Sequence, residues 1–261
     1  MGAGVLVFDI ETVPDRRAYA RLLDQPQELP ASKLKAAWAE AGFPFKPALE
    51  SVVAVACAFI DQNGRFAGVA SLGDPASGEA DLVRSFFQVV AARRPRLVGW
   101  NSSAFDLPVL MTRALVHRIP APAFYRHGQP YHGYLRRYDD ESHVDLMDQL
   151  SLYHATAPLK LDEAAALFGI PGKLGTEGDD VAGLLDAGDL FRIRRYCECD
   201  VLTTALVYGR YAVHRGFWEE AQGPEFEASM EAFLAGSSEP HHRRFLDAWE
   251  AAAREGGSDA V

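Results

Sequence analysis

Four acidic side chains and one phenol stand out by type and spacing: Asp9, Glu11, Asp106, Asp200 and Tyr196. Asp9 and Glu11 are separated by one residue at the end of the apolar run Val5-Leu6-Val7-Phe8. Asp106 follows Asn101-Ser102-Ser103-Ala104-Phe105, and Tyr196 stands four positions before Asp200 in Tyr196-Cys197-Glu198-Cys199-Asp200. Like charges gathered at one point repel one another and resist desolvation, so such a cluster calls for a cation. A hard divalent ion is the natural partner, because it takes carboxylate oxygens. Each piece also has a plain structural reading. Asp9 and Glu11 could be a solvated strand end, Asp106 a favourable charge at a helix N-terminus, and Asp200 a boundary residue bonded to Tyr196 or to water.

The elements around these residues decide whether they can meet. Val5 to Thr12 reads as a short strand buried on both faces. Alternation then puts Asp9 and Glu11 on the same side of it. Leu97 to Trp100 reads as a second buried strand running into a helix over Phe105 to His117, which places Asp106 in the first turn. Asp189 to about His214 is the longest helical pattern; Tyr196 and Asp200 share a face there, one turn apart. Between these, short helices are expected over 15–24 and 32–41. A strand over Val52–Ile60 is joined through Asn63-Gly64 to an antiparallel partner over Arg65–Leu72. A helix over 79–92 should turn Leu82, Phe86, Val89 and Val90 inward. Val144 to Leu146 reads as the last strand, Pro120 to Asp140 as irregular, and Ile170 to Asp180 as a Gly-rich loop.

This order fits an α/β fold: a mixed five-stranded sheet, three antiparallel strands first and then parallel ones by right-handed crossovers, with helices on both faces. The first strand would be central, with the site at its C-terminal end. The division expected is a main domain over 1–218 and a helical extension over 219–261.

The chain has 261 residues, 48% of them hydrophobic, with a net charge of −10. A protein that coats duplexes would usually be basic, so broad non-specific nucleic-acid binding is disfavoured. The three cysteines, Cys57, Cys197 and Cys199, form no C-x-x-C pair, which disfavours a disulfide framework or a thiolate zinc site. With no basic, apolar leader and no apolar run long enough to span a bilayer, no membrane association and a cytoplasmic location with reduced thiols are expected. Lys173 follows Gly172, but the phosphate-loop spacing G-x-x-x-x-G-K-[ST] is not met, which disfavours a nucleotide triphosphatase. His241-His242-Arg243-Arg244 reads as a solvated helix start.

Taken together, Asp9-x-Glu11, Asn101-x-x-x-Phe105-Asp106 and Tyr196-x-x-x-Asp200 resemble the three motifs of the DEDD superfamily of 3′→5′ exonucleases, which have a ribonuclease-H-like fold. The aromatic residue four places before the last Asp makes the chain similar to the Tyr type, called DEDDy. Phe8-Asp9-Ile10-Glu11-Thr12, Gly99-Trp100-Asn101, His143-Val144-Asp145-Leu146, Gly169-Ile170-Pro171-Gly172-Lys173 and Tyr196-Cys197-Glu198-Cys199-Asp200-Val201 resemble more narrowly a bacterial group. That group is predicted to be related to the exonuclease domain of family-B DNA polymerases. The resemblance covers residues 1 to about 215. It implies hydrolysis from the 3′ end of single-stranded DNA or RNA, releasing nucleoside 5′-monophosphates with two divalent ions, Mg²⁺ or Mn²⁺. By the same resemblance Asp9 would hold both ions, Glu11 and Asp200 the first, and Asp106 the second. Tyr196 would hydrogen-bond the attacking water or a phosphate oxygen, and a protein partner remains open.

The expected substrate contacts are Thr12, Asn101, Phe105 and Lys173. The plain readings are a helix cap for Asn101, core packing for Phe105 and a solvated lysine for Lys173. Tyr125, Arg126, Tyr131, Tyr134, Arg136, Arg137 and Tyr138 interleave aromatic and basic side chains, as a single-strand groove requires, or form an ordered surface loop. Two other readings compete: a structure-selective endonuclease, and a nucleic-acid-binding or regulatory module without turnover. The complete acidic set counts against the second of these.

Overall fold

The computed structural model describes residues 4–128, 132–172 and 181–256. Its strands are β1 (Val5–Pro14), β2 (Glu50–Ile60), β3 (Phe66–Ser71), β4 (Arg96–Gly99) and β5 (His143–Asp145). They form one sheet in the order β3-β2-β1-β4-β5. The β1–β2 and β2–β3 pairs are antiparallel; the β1–β4 and β4–β5 pairs are parallel. This is the mixed five-stranded α/β sheet expected, with β1 at its centre. The helices are α1 (Arg16–Leu23), α2 (Ala31–Glu40), α3 (Glu79–Arg93), α4 (Asp106–Val116), α5 (Pro122–Tyr125), α6 (Leu146–Leu150), α7 (Leu161–Phe168), α8 (Val181–Asp186), α9 (Leu190–Arg215), α10 (Gln222–Gly236) and α11 (Pro240–Gly256). No described helix is long and apolar enough to cross a membrane.

Strand alternation builds two cores. Leu6, Phe8 and Ile10 of β1 point to one face, where they pack with Phe86 and Val90 of α3 and Leu107 and Leu110 of α4. Val5 and Val7 point to the other, with Ala54, Ala56 and Ala58 of β2 and Ile193, Cys197 and Val201 of α9. The alanine row matters: side chains this small let a helix lie close to the sheet. α9 is capped at its start by the Asp189 side chain, which accepts from the Arg192 N–H, and stopped by Gly216 in the left-handed region at φ 78°. α10 and α11 join the α9 core through Phe226, Met230, Leu234, Phe245, Leu246 and Trp249.

The structure departs from the expected elements at several points. β1 continues to Pro14, so Asp9 and Glu11 lie inside the strand rather than at its end. The reason is asymmetric pairing. β2 accompanies β1 along its whole length, whereas β4 pairs only with Val5, Leu6 and Val7. Beyond Val7 the β4 edge of β1 is open. The stretch expected to be irregular contains the short helix α5, with Pro122 in its first turn, where a missing N–H is harmless. On α3, Val83 and Phe87 are buried together with Leu82, Phe86 and Val90, while Val89 is only partly buried. Tyr134 is a core residue, fully buried and donating to the Pro95 carbonyl at 2.9 Å. His241 and His242 are buried, not a solvated helix start.

Candidate active site

The carboxylates gather where β4 leaves β1. Asp9 and Glu11 project toward α9, opposite Ala56 and Ala54 of β2. Glu11 is buried and Asp9 partly so. From above, α9 brings Tyr196, Cys197 and Asp200. The Cys197 thiol donates to the Asp9 carbonyl at 3.4 Å and to Asp9 Oδ2 at 3.5 Å. The Tyr196 hydroxyl is hydrogen-bonded to the Asp200 carboxylate, the i, i+4 contact that the helix period allows. From the side, α4 delivers Asp106, which is 2% exposed.

The electrostatics show that these groups share one field. Burial, then the charges of Asp106, Glu11 and Asp200, pushes the Asp9 carboxyl well above the usual carboxylate range. Burial, with the Asp145 charge adding to it, raises Asp106 to about 8, and the Ile10 N–H offsets this only in part. Asp106 Oδ1 is buried without a hydrogen-bond partner. Burial and then Asp200 and Glu11 push the Tyr196 phenol upward, and burial and Asp9 do the same to the Cys197 thiol. Both therefore keep their protons at neutral pH. A buried carboxylate oxygen with no partner, among acids that raise one another's pKa, fits a cation site. The donors are oxygens, which suits a hard divalent ion. The Cys197 sulfur lies near Asp9 and Glu11, where it is a hydrogen-bond donor to Asp9.

Asp106 owes its place to a tightly held loop. Gly99 ends β4 where any Cβ would stand 2.6 Å from Ser102 Cβ and Oγ, so only glycine fits. Asn101 then turns the chain in the left-handed region at φ 59°. Asp145, at the end of β5, accepts from the backbone N–H of Asn101 at 2.9 Å and of Ser103 at 2.8 Å. The same carboxylate caps α6, accepting from Met147 N–H at 3.1 Å. Ser102 Oγ meets His143 Nε2 at 2.8 Å. Burial lowers His143 to about 4, so the ring is neutral and structural. Arg113 fixes the body of α4 to α3 through Glu79, with Nε to Oε1 at 2.6 Å.

The expected substrate contacts divide. Asn101 does not cap α4, which begins at Asp106 with Phe105 as its flanking residue and no side-chain cap. Thr12 Oγ1 donates to Glu50 Oε2 at 3.4 Å, and the Tyr19 hydroxyl donates to Glu50 Oε1 at 2.9 Å. Phe105 is half-buried and stacks on the exposed Phe45 with centroids 5.9 Å apart. Both line a cleft of about 450 Å³ together with Glu11, Thr12, Trp38 and Phe43. Residues 42–47 carried no signal beyond that of a loop; only the fold shows that Phe43 and Phe45 line a cleft with Glu11. The approach of Cys197 to Asp9 likewise has no signal in the sequence, whereas Asp145, at a strand end, reads from sequence as a structural residue that could lie near the site, and it does. Lys173 and Tyr131 lie outside the described residues. In the aromatic and basic stretch, Tyr125, Arg126, Arg136, Arg137 and Tyr138 are exposed, and Arg137 is paired with Asp148 at 2.9 Å.

Comparison with known proteins bears on this arrangement. Residues 44–249 match the family model described as a predicted 3′–5′ exonuclease related to the exonuclease domain of PolB. Asp106, Tyr196 and Asp200 lie within the matched residues, and Asp9 and Glu11 precede them. Among solved structures, the chain is similar to the family B DNA polymerase of the archaeon Pyrobaculum calidifontis, with a TM-score of 0.54 and 21% identity over 82% of this chain and 25% of that one. It also aligns with E. coli exonuclease I in complex with a 5cy-dT13 oligonucleotide, with a TM-score of 0.42 and 14% identity over 86% of this chain and 42% of that one. The chain thus spans a quarter of the polymerase and less than half of the exonuclease. No curated protein matches it. The family match covers most of the chain, and the polymerase likeness supports the ribonuclease-H-like fold. The chain belongs to the family of predicted 3′–5′ exonucleases related to the exonuclease domain of PolB.

Proposed function

We propose that this chain removes nucleotides from the 3′ end of single-stranded DNA or RNA, releasing nucleoside 5′-monophosphates with the help of two divalent ions, Mg²⁺ or Mn²⁺. The observation that carries the reading is the convergence of Asp9, Glu11, Asp106 and Asp200, from β1, α4 and α9, on one point where they raise the Asp9 pKa together. Asp9 would be shared by both ions, Glu11 and Asp200 would serve the first, and Asp106, with its unpartnered oxygen, the second. Such ions supply activation of water and stabilisation of the charge on the departing 3′ oxygen. Tyr196 stays protonated through the neutral range. Its single O–H, given to Asp200, would turn to the attacking water or to a phosphate oxygen once Asp200 serves an ion, as a donor and not a base. Phe105 and Phe45 offer a stacking surface to the terminal base beside Glu11. Thr12 lines the same cleft, and Thr12 and Asn101 would meet the terminal sugar and phosphate.

A single strand labelled in its terminal nucleotide tests this. With Mg²⁺ or Mn²⁺ the first labelled product should be a nucleoside 5′-monophosphate. A labelled oligonucleotide would indicate internal cleavage, and binding without any product would indicate a module without turnover.

A further inference from the structure

The face of α9 turned toward β3 and α11 carries a second polar cluster, apart from the carboxylates. Glu198 lies between Tyr196 and Asp200 in sequence, but its side chain points elsewhere. Its Oε1 accepts from the Ser71 N–H at 2.8 Å and from the Ser71 hydroxyl at 2.6 Å. Its Oε2 is met by two imidazoles from the start of α11. His241 Nε2 lies 2.7 Å away and His242 Nε2 3.3 Å away. Both histidines are only 3% exposed. His242 Nε2 is buried beside this oxygen, out of hydrogen-bond alignment with it, and has no hydrogen-bond partner.

One ligand atom from each of Glu198, His241 and His242 lies within 4.8 Å of the others. A tetrahedral ion bound at about 2.0 Å sets its ligand atoms roughly 3.3 Å apart. The His242–Glu198 pair already has that spacing, and the His241 ring would withdraw by roughly half an ångström. On the far side of its ring, His242 Nδ1 meets Ser237 Oγ at 2.8 Å, an outer contact of the kind that fixes the tautomer and orientation of a metal-binding imidazole. His241 Nδ1 is buried without a hydrogen-bond partner, 3.7 Å from Glu239 Oε2.

We propose that Glu198, His241 and His242 form a site for one transition-metal ion, of which Zn²⁺ is the best match to two imidazoles and a carboxylate. The ion would fasten α11 to α9 and β3, and so brace the helix that presents Tyr196 and Asp200. The site is chemically distinct from the oxygen-only carboxylate centre and does not depend on what that centre does.

The test uses the full chain carrying Asp9→Asn, Asp106→Asn and Asp200→Asn together, so that the carboxylate centre no longer competes. After chelation and desalting, this protein is given Zn²⁺ alone. It should retain one equivalent, and X-ray absorption should show imidazole scattering around the zinc. At a hundredfold excess over Kd, Tm should rise by about 5–10 °C. In the same background, His241→Gln and Glu198→Gln should each weaken Zn²⁺ binding by roughly 100-fold or more. No retained zinc, or zinc without imidazole scattering, would overturn the proposal and leave the cluster as a hydrogen-bonded clasp. The retention and X-ray absorption measurements leave the histidines intact, so they stand even if a ligand variant fails to fold.

Discussion

Asp106 shows what a single residue contributes to the centre and what it costs. Its carboxyl is buried, has an unpartnered oxygen and is raised to about 8, first by burial and then by Asp145. A carboxyl whose folded pKa lies above its unfolded one favours folding most while protonated. That advantage is complete below the unfolded value near 4, and is lost as pH rises through about 8. In the presence of a chelator, Tm should therefore be higher at pH 5 than at pH 8. Asp106→Asn should flatten this dependence while abolishing most nuclease activity, as thermal scans and a nuclease assay at both pH values would show. At this scale the sequence was informative where geometry is local. Alternation put Asp9 and Glu11 on one face, and the helix period put Tyr196 beside Asp200. The position of Cys197 against Asp9 was not legible, because it depends on how closely α9 approaches β1. The alanines opposite, Ala54 and Ala56, allow that approach.

Among the elements, the short strand β4 and the loop after it decide where Asp106 stands. β4 ends after Gly99, which leaves the edge of β1 open beside Asp9 and Glu11. Asp145 then holds the loop by two backbone N–H groups and caps α6 with the same carboxylate. Asp145→Ala would leave the Asn101 and Ser103 donors without partners. It should lower unfolding free energy by about 2–4 kcal/mol in urea titrations, with a fall in activity although Asp145 is not among the expected ligands. Strand order and the two long helices could be read from periodicity and turn chemistry alone. The partners of Asp145 could not, because they lie more than forty positions away in the chain. For the same reason Tyr134, placed by sequence in an exposed aromatic and basic stretch, belongs to the core.

At the scale of the whole molecule, α9 links the carboxylate centre to the C-terminal helices. Phe226 of α10 lies against Gly209 of α9, where any Cβ would stand 2.8 Å from its ring. It also packs on Trp218 with centroids 5.3 Å apart. Phe226→Ala should destabilise the protein by about 3–5 kcal/mol, and chemical denaturation should remain a single transition if α10 and α11 fold with the sheet. The acidic balance of the chain, with its net charge of −10, includes the four carboxylates that the proposed ions would neutralise. These four acids, with Tyr196, should act as one metal-dependent centre working from the 3′ end. Single-stranded DNA and RNA labelled at the 5′ end and incubated with Mg²⁺ or Mn²⁺ should give a ladder that shortens from the 3′ end, disappears with Asp9→Ala and slows by about 100- to 1,000-fold with Tyr196→Phe. Cuts at internal positions, or a ladder that persists with Asp9→Ala, would contradict this reading.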